Sequence, residues 1–239
     1  MSEVIREVQE KRRAEIESAL NAINEDIDRA KRNDVTLVAV SKTYPAADVA
    51  LAASLGQIDF GENKVQELLA KAKELEEAQI GCEIRWHLIG HLQRNKVRQV
   101  IGKTFLIHSV DSLKLIREIG KRARMAELSQ NILFEFNISG EKSKYGFAED
   151  ELSTAIAEAK KWPEINVSGL MTMAPAGLDE VGVRDVFARL RNLLNELQLA
   201  YPEAKTLSMG MSGDYEAALA EGSTMLRIGS KIFGNRVYY

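Results

Sequence analysis

Apolar positions along the chain fall into two alternating rhythms. Residues 1 to about 32 predict one long helix, because Ile16, Leu20, Ile23 and Ile27 recur at helical spacing between charged residues. Acidic residues share the polar face of that helix, which favours a helix packed on the protein body over one lying on a membrane. Short apolar or β-branched runs then predict strands at Thr36–Val40, Ile58–Gly61, Ile84–Ile89, Phe105–Val110, Ile132–Ile138, Val167–Met173, Thr206–Met209 and Met225–Ile228. Between them, leucine, isoleucine and alanine at three- and four-residue spacing predict helices at Ala46–Leu55, Val65–Ala78, Arg94–Gly102, Ser112–Leu128, Ala148–Lys160, Asp179–Leu199 and Tyr215–Glu221.

Alternating strand and helix implies parallel strands joined by right-handed crossovers. Eight such strands favour closure into a (β/α)8 TIM barrel, one domain over residues 1–239 with the first helix as an addition. An open doubly wound sheet would need a glycine-rich turn after its first strand. The turn here reads "SKTYPA" and has no glycine.

Composition narrows the function classes. The chain of 239 residues is 45% hydrophobic and 28% charged, with a formal net charge of −3. That balance gives no basic footprint for nucleic acid or an anionic membrane surface. The N-terminal stretch is charged throughout, and no apolar run approaches the length of a membrane span, so a cytoplasmic protein is expected. A single cysteine, Cys82, excludes an internal disulfide, and nothing beside it marks a catalytic thiol.

Chemistry in a barrel of this kind gathers at the C-terminal ends of the strands. The first strand ends on Ser41 and Lys42, although a lysine is costly to bury. The last two strands end in glycine and serine, in "LSMGMSGDYEAAL" and "LRIGSKIFG". Loops after the seventh and eighth strands are where barrels usually hold phosphate, and Ser212, Gly213 and Asp214 precede a short helix. Each loop also reads as a simple helix cap, with Asp214 or Ser212 at the N-cap. Lys42 then has three readings: a point-charge phosphate ligand, an amine that condenses with a phosphorylated aldehyde such as pyridoxal phosphate, or a lysine reaching from the rim to water. Arg227 lies within the eighth strand. It either faces a pyridine nitrogen, which it would keep unprotonated, or pairs with a rim carboxylate. His87 and His91 have metal-ligand spacing, but "HLIGH" lacks a zinc peptidase glutamate and a third ligand, so Trp86 and His87 are expected to pack and to line the rim. Met171, Met173, Met209 and Met211 alternate like inward strand positions and are expected to fill the barrel.

The stretches "AVSKTYP", "FGENKVQE", "WHLIGHLQRNK", "LSMGMSGDYEAAL" and "RIGSKIFG" run in order from about residue 35 to the C-terminus. Together they resemble the YggS/PROSC family of pyridoxal phosphate homeostasis proteins. The resemblance implies a fold-type III barrel like the N-terminal domain of alanine racemase. It implies pyridoxal 5'-phosphate as cofactor, held as a Schiff base on Lys42, with Asn63 near the ring and its phenolic oxygen. It implies Ser212, Gly229 and Ser230 around the phosphate, Ser208 and Met209 lining that side, and Arg227 at the pyridine nitrogen. Many members have threonine at the position of Ser230, and a hydroxyl survives either way. Some carry a second lysine where this chain has Tyr44, which puts any hand-off role of that lysine in doubt. Lys144 in "EKSKYGF" matches a basic loop position of the family and reads as a solvated lysine or an aid to cofactor transfer.

Two functions of different class follow from the resemblance. One is a carrier that buffers, stores or delivers pyridoxal phosphate, with apo-enzymes as recipients. The other is a weak amino-acid racemase. Racemisation needs acid–base groups on both faces of the substrate carbon. In alanine racemases the second is a tyrosine from a C-terminal β domain of the partner subunit, and this sequence ends at Tyr239. Tyr238 and Tyr239 are expected to pack rather than to serve. The carrier, acting as a monomer, is therefore the expectation.

Overall fold

A computed structural model describes residues 3–141 and 144–234, with side chains from residue 7 onward. Eight parallel strands close into a barrel in sequence order. They are β1 (Thr36–Val40), β2 (Asp59–Glu62), β3 (Arg85–Leu88), β4 (Leu106–Val110), β5 (Gln130–Glu135), β6 (Ile165–Met171), β7 (Thr206–Ser208) and β8 (Met225–Ile228). The ring shuts through four residue pairs between β1 and β8, from Thr36 with Met225 to Ala39 with Ile228.

The helices are α1 (Glu3–Arg29), α2 (Ala46–Ser54), α3 (Val65–Glu77), α4 (Val97–Val100), α5 (Leu113–Ala126), α6 (Leu152–Ala159), α7 (Glu180–Gln198), α8 (Tyr215–Ala220) and α9 (Ser230–Phe233). Each helix of two turns or more presents an apolar stripe to the outer face of the sheet, because only one face of a helix can be taken out of water there. On α5 that stripe is Leu115, Ile116, Ile119, Gly120 and Ala123. Gly120 is required: a Cβ at this position would stand 2.3 Å from the Trp162 ring. Asp179 starts α7 by accepting a hydrogen bond from the Gly182 amide at 2.9 Å.

Helix α1 packs as its periodicity predicts, with Ile16, Leu20, Ile23 and Ile27 buried. It also closes the seam between β1 and β8. Arg12 donates to Asp48 of α2 at 2.6 Å and to the Phe233 carbonyl of α9 at 2.9 Å. No described helix is long and apolar enough to cross a membrane.

Several boundaries differ from the sequence reading. Strands β5 and β6 each begin two residues earlier than expected, since Gln130 pairs with Ile165 and Asn131 with Asn166. Gln130 is buried as well, with its amide donating to the Thr104 and Asn131 carbonyls. Polar residues satisfied in this way carry no apolar signal. The helix expected over Arg94–Gly102 is a 3-10 turn followed by one turn of α-helix, and α9 has no counterpart in the sequence reading.

Candidate functional site

At the C-terminal mouth of the barrel lies a cavity of about 450 Å3. Six of the eight residues singled out in the sequence line it: Lys42, Asn63, Ser212, Arg227, Gly229 and Ser230. They arrive from β1, β2, β7 and β8 and the loops after them, so only barrel closure brings them together. Gly90 lets the β3 loop approach the Asn63 backbone, because a Cβ there would stand 2.4 Å from the Asn63 carbonyl oxygen. A second cavity of about 390 Å3 adjoins the first and shares Ser212 and Gly213.

The turn that carries Lys42 is strained and clamped. Thr43 has φ of 72°, the left-handed region that a β-branched residue rarely enters. Such a conformation costs on the order of 1–3 kcal/mol and persists only where surrounding contacts fix it. Lys71 of α3 supplies those contacts from below. Its Nζ donates to the Ser41 carbonyl at 2.7 Å, to Glu62 Oε1 at 2.6 Å and to Glu67 Oε1 at 2.9 Å. Ser41 Oγ donates to the same Glu62 oxygen, and Glu67 accepts from the Thr43 amide. Burial pushes the Glu62 carboxyl above its ordinary pKa, while Lys71 and Ser41 pull it back. The sequence reading missed Lys71, because nothing in a helix pattern marks one lysine as pointing inward.

Arg227 is nearly fully buried yet makes no direct ion pair among the described residues. Its Nη1 donates to Ser208 Oγ at 2.6 Å and its Nη2 to the Thr172 carbonyl at 2.9 Å. These bonds hold the guanidinium plane at the cavity floor. Burial lowers its pKa to about 10, with Glu135 and Asp214 opposing, so it stays charged at neutral pH.

Glu135, at the end of β5, lines the same cavity. Burial, then the nearby Asp111 charge, raises its pKa to about 7, with Arg227 opposing. The folded state thus holds this proton more tightly than the unfolded chain, so this site's contribution to stability falls as pH rises from about 4.5 to 7. Glu135→Gln is expected to raise stability at pH 8 by about 2–3 kcal/mol and to flatten its pH dependence between 5 and 8. Urea denaturation at both ends of that range checks it, and an unchanged difference between them would assign the dependence elsewhere.

The donor set fits a phosphorylated aldehyde. One amine and one guanidinium face a space that two serine hydroxyls and three glycines, Gly90, Gly213 and Gly229, also border. At Gly213 a Cβ would meet nothing within 4 Å, so no side chain fills that wall. The volume suits a ligand of cofactor size.

Comparison with known proteins agrees in family. The model of the alanine racemase N-terminal domain family matches residues 18–237. The chain is 40% identical over 222 residues to the pyridoxal phosphate homeostasis protein of Aquifex aeolicus (strain VF5), covering 92% of this chain and 96% of that one. The chain belongs to the pyridoxal phosphate homeostasis family. The homeostasis protein of Escherichia coli (strain K12) is 42% identical over 209 residues, covering 86% and 87% of the two chains. PipY of Synechococcus elongatus PCC7942, solved with pyridoxal phosphate bound, superposes with a TM-score of 0.83 at 34% identity, over 92% of this chain and all of that one. Alanine racemase from Corynebacterium glutamicum shares the fold, with a TM-score of 0.73 at 14% identity over 93% of this chain and 61% of the racemase.

Other expectations need correction in this homeostasis-family barrel. Ser208 and Met209 do not border the cavity. Ser208 is buried beneath it, bonded to Arg227 and His108. Met209 packs in the layer between sheet and helices, because β7 turns alternate residues outward. Of the four methionines, Met171 alone joins the apolar interior of the barrel. Met173 and Met211 line the cavity instead. Trp86 packs in the core as expected, but His87 lies inside the barrel rather than on its rim. His91 diverges from it, bonding Asp111 at 2.9 Å and stacking on Tyr145 with ring centroids 3.8 Å apart. Lys144 pairs with Glu141 at 2.9 Å and is not among the cavity-lining residues. Tyr44 donates to the Gly234 carbonyl at 2.6 Å, which gives it a packing role against α9. Asp214 takes the N-cap position of α8, but its side chain accepts from the Met211 amide. Tyr238 and Tyr239 lie outside the described residues.

Proposed function

We propose that the protein binds pyridoxal phosphate in this cavity, with Lys42 as the attachment point, and that it holds and releases the cofactor rather than turning over a substrate. The observation that carries this is the convergence of Lys42, Arg227, Ser212 and Ser230 on one space. A relative at 34% identity with pyridoxal phosphate bound, and curated relatives named for its homeostasis, support it.

When bound, the cofactor supplies an aldehyde that condenses reversibly with an amine, and a phosphate that anchors it. Ser212, Gly213, Gly229 and Ser230 would hold the phosphate through hydroxyl and amide donors. Asn63 would lie beside the ring. Arg227 would donate to the ring nitrogen and, as a permanent cation, would not give its proton to it. A nitrogen left unprotonated weakens the ring as an electron sink, which suits retention better than chemistry on a substrate carbon. The loaded protein would act as a monomer and pass the cofactor to apo-enzymes.

Loaded protein incubated with L-alanine and other amino acids is expected to leave optical rotation unchanged. Incubated with an apo-enzyme of this cofactor, it is expected to restore that enzyme's activity. Racemisation at ordinary enzyme rates, about 1 per second or faster, would overturn the carrier reading.

A further inference from the structure

Barrels of this kind are ordinarily filled with branched apolar side chains; here a single file of polar ones runs beneath this cavity beside the apolar cluster of Val38, Leu106, Leu133, Met171 and Met225. Arg227 Nη1 donates to Ser208 Oγ at 2.6 Å. Ser208 Oγ lies 2.9 Å from His108 Nδ1, and His108 Nε2 lies 2.8 Å from His87 Nδ1. His87 Nε2 lies 2.8 Å from Asp59 Oδ1, and Arg85 Nη2 donates to Asp59 Oδ2 at 2.7 Å. Ser208, His108 and His87 are fully buried, and Asp59 and Arg227 nearly so. Asp59 opens β2 and Arg85 opens β3, so the file runs from the cavity floor to the opposite end of the barrel, where the Arg85 side chain is 36% exposed.

The two ends fix its direction. A guanidinium only donates and a carboxylate only accepts. Burial holds His87 below the usual histidine range, with Asp59 opposing, and holds His108 well below it, so both rings are neutral. One arrangement then satisfies all four histidine ring nitrogens and the Ser208 hydroxyl. His87 donates from Nε2 to Asp59, and its Nδ1 accepts from His108 Nε2–H. His108 Nδ1 accepts from the Ser208 hydroxyl, whose oxygen accepts from Arg227. The reverse order would aim a ring lone pair at the Asp59 carboxylate and leave the Ser208 proton without a partner. A hydroxyl that donates onward is also a better acceptor, because bonds in a chain polarise one another.

We propose that Ser208, His108, His87 and Asp59 are positioning residues for Arg227, a one-directional hydrogen-bond file that fixes how the guanidinium meets a ligand in the cavity. This rests on the pyridoxal phosphate reading for what Arg227 meets; the direction of the file does not. Replacing Asp59 with asparagine supplies an amide that can donate to His87, so the file loses its fixed sense without any change in the cavity lining.

Two measurements test it. Nitrogen-15 NMR of histidine-labelled, ligand-free protein at neutral pH should show His87 and His108 as neutral Nε2–H tautomers. Either ring protonated at Nδ1 would overturn the file. Release of pyridoxal phosphate into an excess of apo-enzyme should be about tenfold faster in Ser208→Ala, which removes one bond to a charged group. Asp59→Asn should quicken it several-fold and shift the absorbance of bound cofactor. Unchanged release and absorbance in both variants, with wild type binding normally, would overturn the positioning role. If wild type takes up no pyridoxal phosphate, the proposed function fails, and the tautomers alone decide the file. Should Ser208→Ala not fold, Asp59→Asn and the wild-type tautomers still decide it.

Discussion

Lys42→Ala is expected to abolish the visible absorbance that pyridoxal phosphate gains on the protein, leaving a colourless chain after gel filtration. The expected loss is complete rather than graded, because attachment needs an amine and alanine has none. Lys42 lines the cavity at the barrel mouth, after the end of β1 and in the same space as Arg227, Ser212 and Ser230. Its backbone is fixed by the clamp on both neighbours: Ser41 through its carbonyl and hydroxyl, Thr43 through its amide. The proposed phosphate donors Ser212, Gly229 and Ser230 are untouched in the variant, so weak uptake by dialysis is expected to persist while the colour is lost. Undiminished absorbance in Lys42→Ala would move the attachment to another lysine.

Lys71→Met is expected to destabilise the fold by about 3–5 kcal/mol at neutral pH, the usual consequence of removing one partner of a buried ion pair. Lys71 and Glu62 have 8% and 0% exposed side chains, so water cannot take the place of the missing ammonium. Glu62 would keep only the Ser41 hydroxyl, and burial already raises its pKa. Without Lys71 that pKa rises further, so the penalty should shrink as pH falls and Glu62 takes up a proton. Lys71→Met combined with Glu62→Gln should recover part of the loss, since no buried charge is then stranded. Denaturant unfolding at several pH values reads all three effects. A loss below about 1 kcal/mol at neutral pH would mean that the clamp is not held by its charges.

The sequence exposed the barrel because its strands and helices differ in hydrophobic period, and because a parallel sheet buries both faces of its strands. It exposed Lys42, Ser212, Gly229 and Ser230 because polar or glycine residues at strand ends interrupt an apolar pattern. It did not expose Ser208 as a support beneath the cavity, since whether a strand residue faces inward depends on register, and one residue's shift reverses every side chain. Glu135 was hidden for the same reason. Lys71 lies a full helix away from the turn it clamps, so only packing of α3 on the sheet reveals it. The polar starts of β5 were hidden because Gln130 is satisfied by backbone carbonyls rather than by apolar neighbours.

The strap that α1 lays across the seam has a consequence for synthesis. Arg12 binds the Phe233 carbonyl across 221 residues of sequence. Ribosomes add about 5–20 residues per second, so α1 is complete for roughly 10–40 seconds before that partner exists. During that interval the stripe of Ile16, Leu20, Ile23 and Ile27 has no finished surface to cover it, and the ring itself stays open until β8 reaches β1. A nascent chain of this design emerges with its first apolar face waiting for α9, the last of the described helices.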